Sequence, residues 1–253
     1  MGADESDIQR MVFEAIRIRE QIDSGEYEGV YLDITEKPPI KFEPVALPAK
    51  SIRFADLTED TLTDEFAACV SYIHDRRIDL DSYDFYCSPA SKGRVIIPFT
   101  HEGKVIGYSA RSIIGQTPKY INCVDSHYVF NLDKQTKSRK VVIVSEGPFD
   151  AMSVDGVAVL HNEVHEDQAD QIDALCRKVI VVPHADISGG DLVQSALKYG
   201  WSVSFPLWTE TCKDINEAAC KYGKLFTLKA ILEGVEDNPL KIKLRARKLY
   251  GGK

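Results

Sequence analysis

Two short β-branched runs, Val141–Ser145 and Val179–Val182, each lead straight into carboxylates, and this pairing constrains the fold more than any other feature of the chain. Glu146, Gly147 and Asp150 follow the first; Pro183, His184, Asp186 and Gly189 follow the second, so that Glu146 and Asp186 stand 40 residues apart. A run without polar alternation suits a strand covered on both faces, as in a parallel α/β sheet. Further runs at Val157–Leu160 and Trp201–Phe205, with helical stretches between them, continue the alternation of strand and helix. In such a sheet the acids fall at the carboxyl edge, where ligands collect. Carboxylates converging there repel one another unless a divalent cation neutralises them, and hard Mg²⁺ favours oxygen donors. The pattern points to metal-dependent phosphate chemistry, with Gly147 placed for a tight turn or a close backbone approach to a ligand.

A third acidic segment, Cys212, Lys213, Asp214, Asn216 and Glu217, follows the strand-like run at Trp201–Phe205. Together the three segments resemble the Toprim domain of DnaG-type primases, topoisomerases and related nucleases: a Glu-Gly strand end, an Asp-x-Asp strand end and a later acidic motif. The resemblance implies that Glu146 and Asp186 are the principal catalytic acids and metal ligands, with Asp214 near them and Lys213 beside it as a nucleotide or template contact. His184 occupies the first acid of the Asp-x-Asp pair. A neutral imidazole there supplies neither the charge nor the hard oxygen of a carboxylate, which predicts a site that binds metal more weakly, takes a more imidazole-tolerant ion such as Mn²⁺, or has lost catalysis.

The segment before Glu146 distinguishes among these families. Arg94–Phe99, a turn at His101–Lys104 and Val105–Arg111 read as a β-hairpin, expected to bring Arg94 and Arg111 onto one patch of sheet, and Thr117–Asn122 follows with Lys119. Arginine forks and a lysine point charge can hold triphosphate oxygens. The order of these motifs resembles the amino-terminal subdomain of DnaG-type primase cores, over roughly residues 52 to 220, and by position it implies nucleotide or template contacts at Arg94, Arg111, Lys119 and Asn122. The phrasing of Tyr199–Pro206 and Lys221–Thr227 looks most like primases of tailed phages.

The net charge of −8 is unusual for a nucleic-acid enzyme until it is located. Residues 1–36 hold ten acids against Arg10, Arg17 and Arg19, leaving −7 there and −1 elsewhere, while residues 238–253 carry six Lys or Arg and no acid. Local fields govern phosphate attraction, so the basic segment can serve as a solubilising end or a nucleic-acid contact. Six scattered cysteines include no Cys-x-x-Cys pair, hence no recognisable zinc ribbon. No stretch approaches the roughly 20 apolar residues that span a bilayer, and no signal peptide opens the chain. A soluble, cytoplasmic protein is expected, in a bacterial host cell if phage-encoded.

The expected organisation is an acidic helix and Pro-rich linker over 1–50, a smaller α+β primase subdomain over 51–138, a Toprim-type, mainly parallel α/β sheet flanked by helices over 139–222, and a helical basic tail over 223–253. Ile8, Met11, Val12, Ala15, Ile18 and Ile22 give the first helix its stripe. The expected function is a primase core, a nucleotidyltransferase that joins ribonucleoside triphosphates into RNA primers on a single-stranded DNA template with Mg²⁺ or Mn²⁺. Its partners would be a replicative helicase or a separate zinc-ribbon protein, and no membrane. A Toprim nuclease, and a catalytically weak or inactive binding subunit, are the alternatives.

Overall fold

The computed structural model describes Ser24, residues 40–186 and residues 189–251. The amino-terminal helix and Pro38 and Pro39 lie outside the described residues. From Lys41 onward the chain forms one compact unit. It contains a five-stranded antiparallel sheet followed by a five-stranded, mainly parallel one.

The antiparallel sheet runs in sequence order from β1 (Ile52–Arg53) through β2 (Tyr86–Cys87), β3 (Arg94–His101) and β4 (Lys104–Ser112) to β5 (Tyr120–Cys123), with helix α1 (Asp64–Asp75) between β1 and β2. Thr63 caps α1 by accepting from Phe66 N at 3.2 Å, and the helix presses Phe66, Cys69 and Ile73, one helical face, against the sheet. The β3–β4 hairpin turns on Glu102 and Gly103, both at positive φ, the primed geometry that matches strand twist. The described part of the expected linker packs on this sheet: Phe42 stacks edge-on with Tyr128, and Val45 N donates to Val105 O at 2.9 Å.

The second sheet comprises β6 (Val141–Ser145), α2 (Pro148–Val154), β7 (Val157–Ala158), α3 (Glu166–Asp173), β8 (Lys178–Val181), α4 (Gly189–Tyr199), β9 (Ser202–Ser204), α5 (Ile215–Tyr222), α6 (Lys224–Glu233), β10 (Val235–Glu236) and α7 (Pro239–Tyr250). Its strand order is β7-β6-β8-β9-β10, parallel except for β10, a two-residue antiparallel edge that the sequence did not signal. Alternate residues feed opposite cores. Val142, Val144, Val179 and Val181 face α3, α4 and α7, whereas Ile143, Ile180 and Val182 face Val154, Ile215 and Ile231 of α2, α5 and α6. Burial on both faces explains the unbroken apolar runs; a fully buried valine or isoleucine contributes about 1.5–3 kcal/mol.

The basic segment at the carboxyl end is no appendage. Ile242 and Ala246 of α7 are buried beside Leu192 and Val203, so removing the helix would open the core. After β6 the chain turns to β7 on one side, and after β7 it crosses to β8 on the other. The carboxyl ends of β6 and β8 therefore flank a topological switch point, the usual place for a ligand crevice.

Candidate active site

A cleft of about 260 Å³ opens at that switch point, walled on one side by the carboxyl edge of the parallel sheet and on the other by β4 and β5. Glu146, Asp150, His184, Asp186, Lys213 and Asp214 line the first wall; Arg111, Lys119, Tyr120 and Asn122 line the second, and Arg76 closes one end. Of the expected site residues, all but Arg94 line the cleft.

Arg94 departs from expectation because of strand parity. The register pairs Arg94 with Ser112 and Val95 with Arg111, so the two arginines project from opposite faces of the hairpin. Arg94 is buried, and its guanidinium is spent on the carbonyls of Ala110 at 3.0 Å and Pro118 at 2.8 Å. It ties β4 to the loop that carries Lys119. Arg111, on the cleft side, donates from Nε to Tyr72 Oη at 3.0 Å and lies 4.6 Å from the Tyr120 ring centre, while its buried Nη1 has no hydrogen-bond partner among the described residues. Lys119 is exposed, and partial burial followed by repulsion from Arg111, Lys213 and Arg76 lowers its pKa. A lysine surrounded by cations marks this wall as electropositive. Asn122 accepts from Ser109 Oγ at 2.6 Å.

On the acidic wall Glu146 follows β6 directly and is only 8% exposed, so it is buried rather than solvent-facing. Gly147 is extended at φ −115°, a conformation open to any residue, and a Cβ there would meet only Asp150 Oδ2 at 3.4 Å. Of the two uses expected of this glycine, a tight turn needing its freedom is not made here, since Pro148 at the first position of α2 starts the helix, and the open space beside it leaves the close approach of a ligand as the other. A glycine that this wall does require is Gly189, where a Cβ would collide with the backbone oxygen of His184.

Asp150, not among the site residues expected from the sequence, is a central group. It accepts from Asn216 N at 2.9 Å and faces His184 Nε2 at 2.9 Å, and Asn216 in turn takes Arg76 Nη1 at 2.6 Å. Its signal was its position, one helical turn after Glu146. Arg76 was missed as well; it sits over the Phe149 ring at 4.6 Å, and nothing local in the sequence distinguishes it.

His184 is not the neutral imidazole expected. Nδ1 lies 3.1 Å from Glu146 Oε2 while Nε2 faces Asp150, an arrangement that both carboxylates reward only when the ring is an imidazolium. Burial alone would lower its pKa, but the hydrogen bonds to Asp150 and Glu146 outweigh burial and push it up to about 11. Asp214 caps α5 by accepting from Glu217 N at 2.8 Å, and burial, followed by the charge of Asp150, raises its pKa. One ligand atom each from Asp150, His184 and Asp214 lies within 4.8 Å of the others. Two mutually repelling carboxylates with hard oxygens, lining one cleft, fit a divalent cation. Asp186, exposed, lines the same cleft outside that trio.

No protein-family model matches the chain. The DNA primase of Staphylococcus aureus (strain COL) is 27% identical over 152 residues, covering 52% of this chain and 25% of that protein. The chain thus spans about a quarter of the length of the curated relatives it matches. The RNA polymerase domain of Mycobacterium tuberculosis primase DnaG superposes with a TM-score of 0.60 at 16% identity, over 73% of this chain and 81% of that one. A DnaG primase catalytic domain bound to single-stranded DNA superposes with a TM-score of 0.51 at 20% identity, over 70% of this chain and 62% of that one. The chain is similar in sequence to DNA primases and has the mixed α/β fold of the DnaG catalytic core.

Proposed function

We propose that the chain is a DNA primase core that joins ribonucleoside triphosphates into short RNA primers on single-stranded DNA. One observation carries this reading: a single cleft brings Arg111, Lys119 and Asn122 from the antiparallel sheet against Glu146, Asp150 and Asp214 from the parallel sheet. Cleavage of a nucleic-acid strand needs only the acidic wall. A polymerase needs a second, cationic wall to hold the incoming triphosphate, and the orphaned Nη1 of Arg111 is a donor that a phosphate oxygen would satisfy.

Glu146, Asp150 and Asp214, with Asp186 at the rim, would hold Mg²⁺ or Mn²⁺, and His184 would have to yield its contacts for a cation to reach Glu146 and Asp150. The bound metal supplies charge neutralisation at the α-phosphate and lowers the pKa of the attacking 3′ hydroxyl. The protein's share is positional. Arg111 and Lys119 bind and orient the polyphosphate, Asn122 and Lys213 contact nucleotide or template, and the hydrogen bonds of Asp150 and Asp214 hold their carboxylates in place before substrate arrives.

The resemblance to a single-stranded-DNA-bound primase domain supports that template, and a replicative helicase or a zinc-ribbon protein is the partner we assign to it. Among the described residues no helix is long and apolar enough to cross a membrane, and a primase would act in the cytoplasm. A catalytically weak subunit that binds single strands is favoured by one feature, the ion pairs of His184 with both Glu146 and Asp150. Incubation with single-stranded DNA and labelled ribonucleotides, in Mg²⁺ or Mn²⁺, alone and with a zinc-ribbon or helicase protein, tests the choice. Labelled primers support synthesis; strand binding without product in every combination supports the second reading.

A further inference from the structure

We propose that Tyr250, in the last turn of α7, is a positioning residue for the acidic wall, acting through the peptide unit between His184 and Ala185. The proposal rests on the metal-dependent reading of the cleft and deepens it. That peptide is gripped at both ends of its dipole by distant parts of the chain. Its carbonyl accepts from Tyr250 Oη at 2.9 Å, and its N–H donates to Lys213 O at 2.8 Å. Rotating the peptide would break both bonds at once. The residues it joins lead to His184 on one side, bonded to Glu146 and Asp150, and Asp186 on the other. Lys213, the second anchor, immediately precedes Asp214. One peptide unit therefore ties together the strand end after β8, the Asp214 segment and the carboxyl end of α7.

The tyrosine is itself well fixed. Ile242, Ala246 and Tyr250 recur at intervals of four and so share one face of α7. The first two are buried in the core, which leaves the third to reach over the edge of the sheet. Its ring lies against Gly190, where an added Cβ would stand 3.7 Å from Tyr250 Cβ, and Gly189 leaves the same His184 oxygen uncrowded. Burial, and then the charges of Glu146 and Asp186, raise the phenol pKa, so the hydroxyl remains a protonated donor beside both acids. A phenylalanine would fill the same space and lose only that donor.

Tyr250→Phe separates the positioning role from a packing role. In the full chain, Mn²⁺ affinity read by paramagnetic relaxation should fall about tenfold, the low end of the range for losing a group outside the ligand set that orients it, because the peptide held by Tyr250 leads into Asp186. Amide exchange at Ala185 should speed up about fivefold, as expected for losing a modest hydrogen bond at the same peptide. The melting temperature should fall by no more than a few degrees, the size of one lost hydrogen bond, and the exchange of Ile242 and Ala246 should stay at parent values. If primers form, kcat should fall while KM for the nucleotide holds. Parent-like Mn²⁺ affinity and Ala185 exchange in the folded variant would overturn the proposal, as would loosening spread evenly along α7. A parent that binds Mn²⁺ but makes no primer would sink the synthetic reading alone, whereas one that binds no Mn²⁺ would sink both.

Discussion

On the acidic wall of the cleft every described contact is part of a network: Asp150 takes Asn216 N and His184, Asp214 takes Glu217 N, and Glu146 is buried against His184. The basic wall is looser at its rim, for Lys119 beside β5 and Asn122 on it stand exposed, whereas Ser109 and Arg111 of β4 are buried. On the proposed reading, Glu146 and Asp150, which would hold a compact ion, are fixed in advance by burial and paired contacts, whereas Lys119, which would receive a long, flexible polyanion, is exposed and acts through field and reach.

The largest effect that tests this contrast is Glu146→Gln. Metal-dependent synthesis should drop by about a thousandfold, the scale of losing one group that stabilises transition-state charge. Stability should fall by about 1–3 kcal/mol because a buried hydrogen-bond partner of His184 is weakened. Primer assays and thermal melts of the same sample read both. Synthesis at the parent level would show that the rigid wall is not the working one.

On the looser wall Lys119→Ala should raise KM for nucleotide roughly tenfold, the worth of one charge-assisted contact, with the melting temperature unchanged. Its counterpart Arg94→Met should do the reverse, costing about 2–3 kcal/mol through the stranded carbonyls of Ala110 and Pro118 with little change in KM. If Arg94→Met mainly raised KM, the assignment of Arg94 to the scaffold would be wrong.

His184→Asp replaces the group bonded to Glu146 and Asp150 by a third carboxylate. The metal-free variant should melt lower than the parent and recover in Mg²⁺, and Mg²⁺-supported synthesis should rise several-fold, since a hard anionic ligand suits that ion. A variant whose melting ignores Mg²⁺ would show that no cation enters between these residues.

A smaller effect is expected away from the cleft. Asp155 closes α2 and bonds Arg139 Nη2 at 2.8 Å and Lys224 Nζ at 2.7 Å; burial raises its pKa, but these two cations more than offset that and hold it below the usual carboxylate value. A depressed folded-state pKa gives stability that is complete above the unfolded value near 3.9 and is lost as pH falls through the folded one. Asp155→Asn should therefore cost about 1 kcal/mol at neutral pH, and the difference from the parent should vanish in melts at low pH.

The parallel half of the fold was legible because burial on both faces writes each strand as an apolar run and the acid at its end marks the carboxyl edge, as with Val141–Ser145 and Glu146. Most of the antiparallel half was legible as a hairpin, but the role of each arginine was not. Neighbouring positions in a strand point to opposite faces, and Arg94 and Arg111 could be sorted only by the pairing of Val95 with Arg111. Asp150 was readable in principle, one turn into a helix that starts beside Glu146. Arg76 was not, because α1 reaches the cleft only through tertiary packing on Phe149 and Asn216. The protonated state of His184 likewise depends on two acids, 34 and 38 positions away in sequence, and no local pattern announces it.

The parallel sheet ends on each side in a strand of two residues, β7 and β10, and the β7 edge is met by the isolated bridge between Phe130 and Ala158. Open strand edges are templates on which further copies of a chain can add by backbone pairing, and hazard grows with the length of ladder left uncovered. The apolar runs of β6 and β8, the segments with the strongest tendency to self-associate, are shut between neighbours on both sides. The strands that deliver the acids to the cleft are thereby kept from recruiting a second molecule, and the sheet can carry so apolar a centre without presenting it as a seed for aggregation.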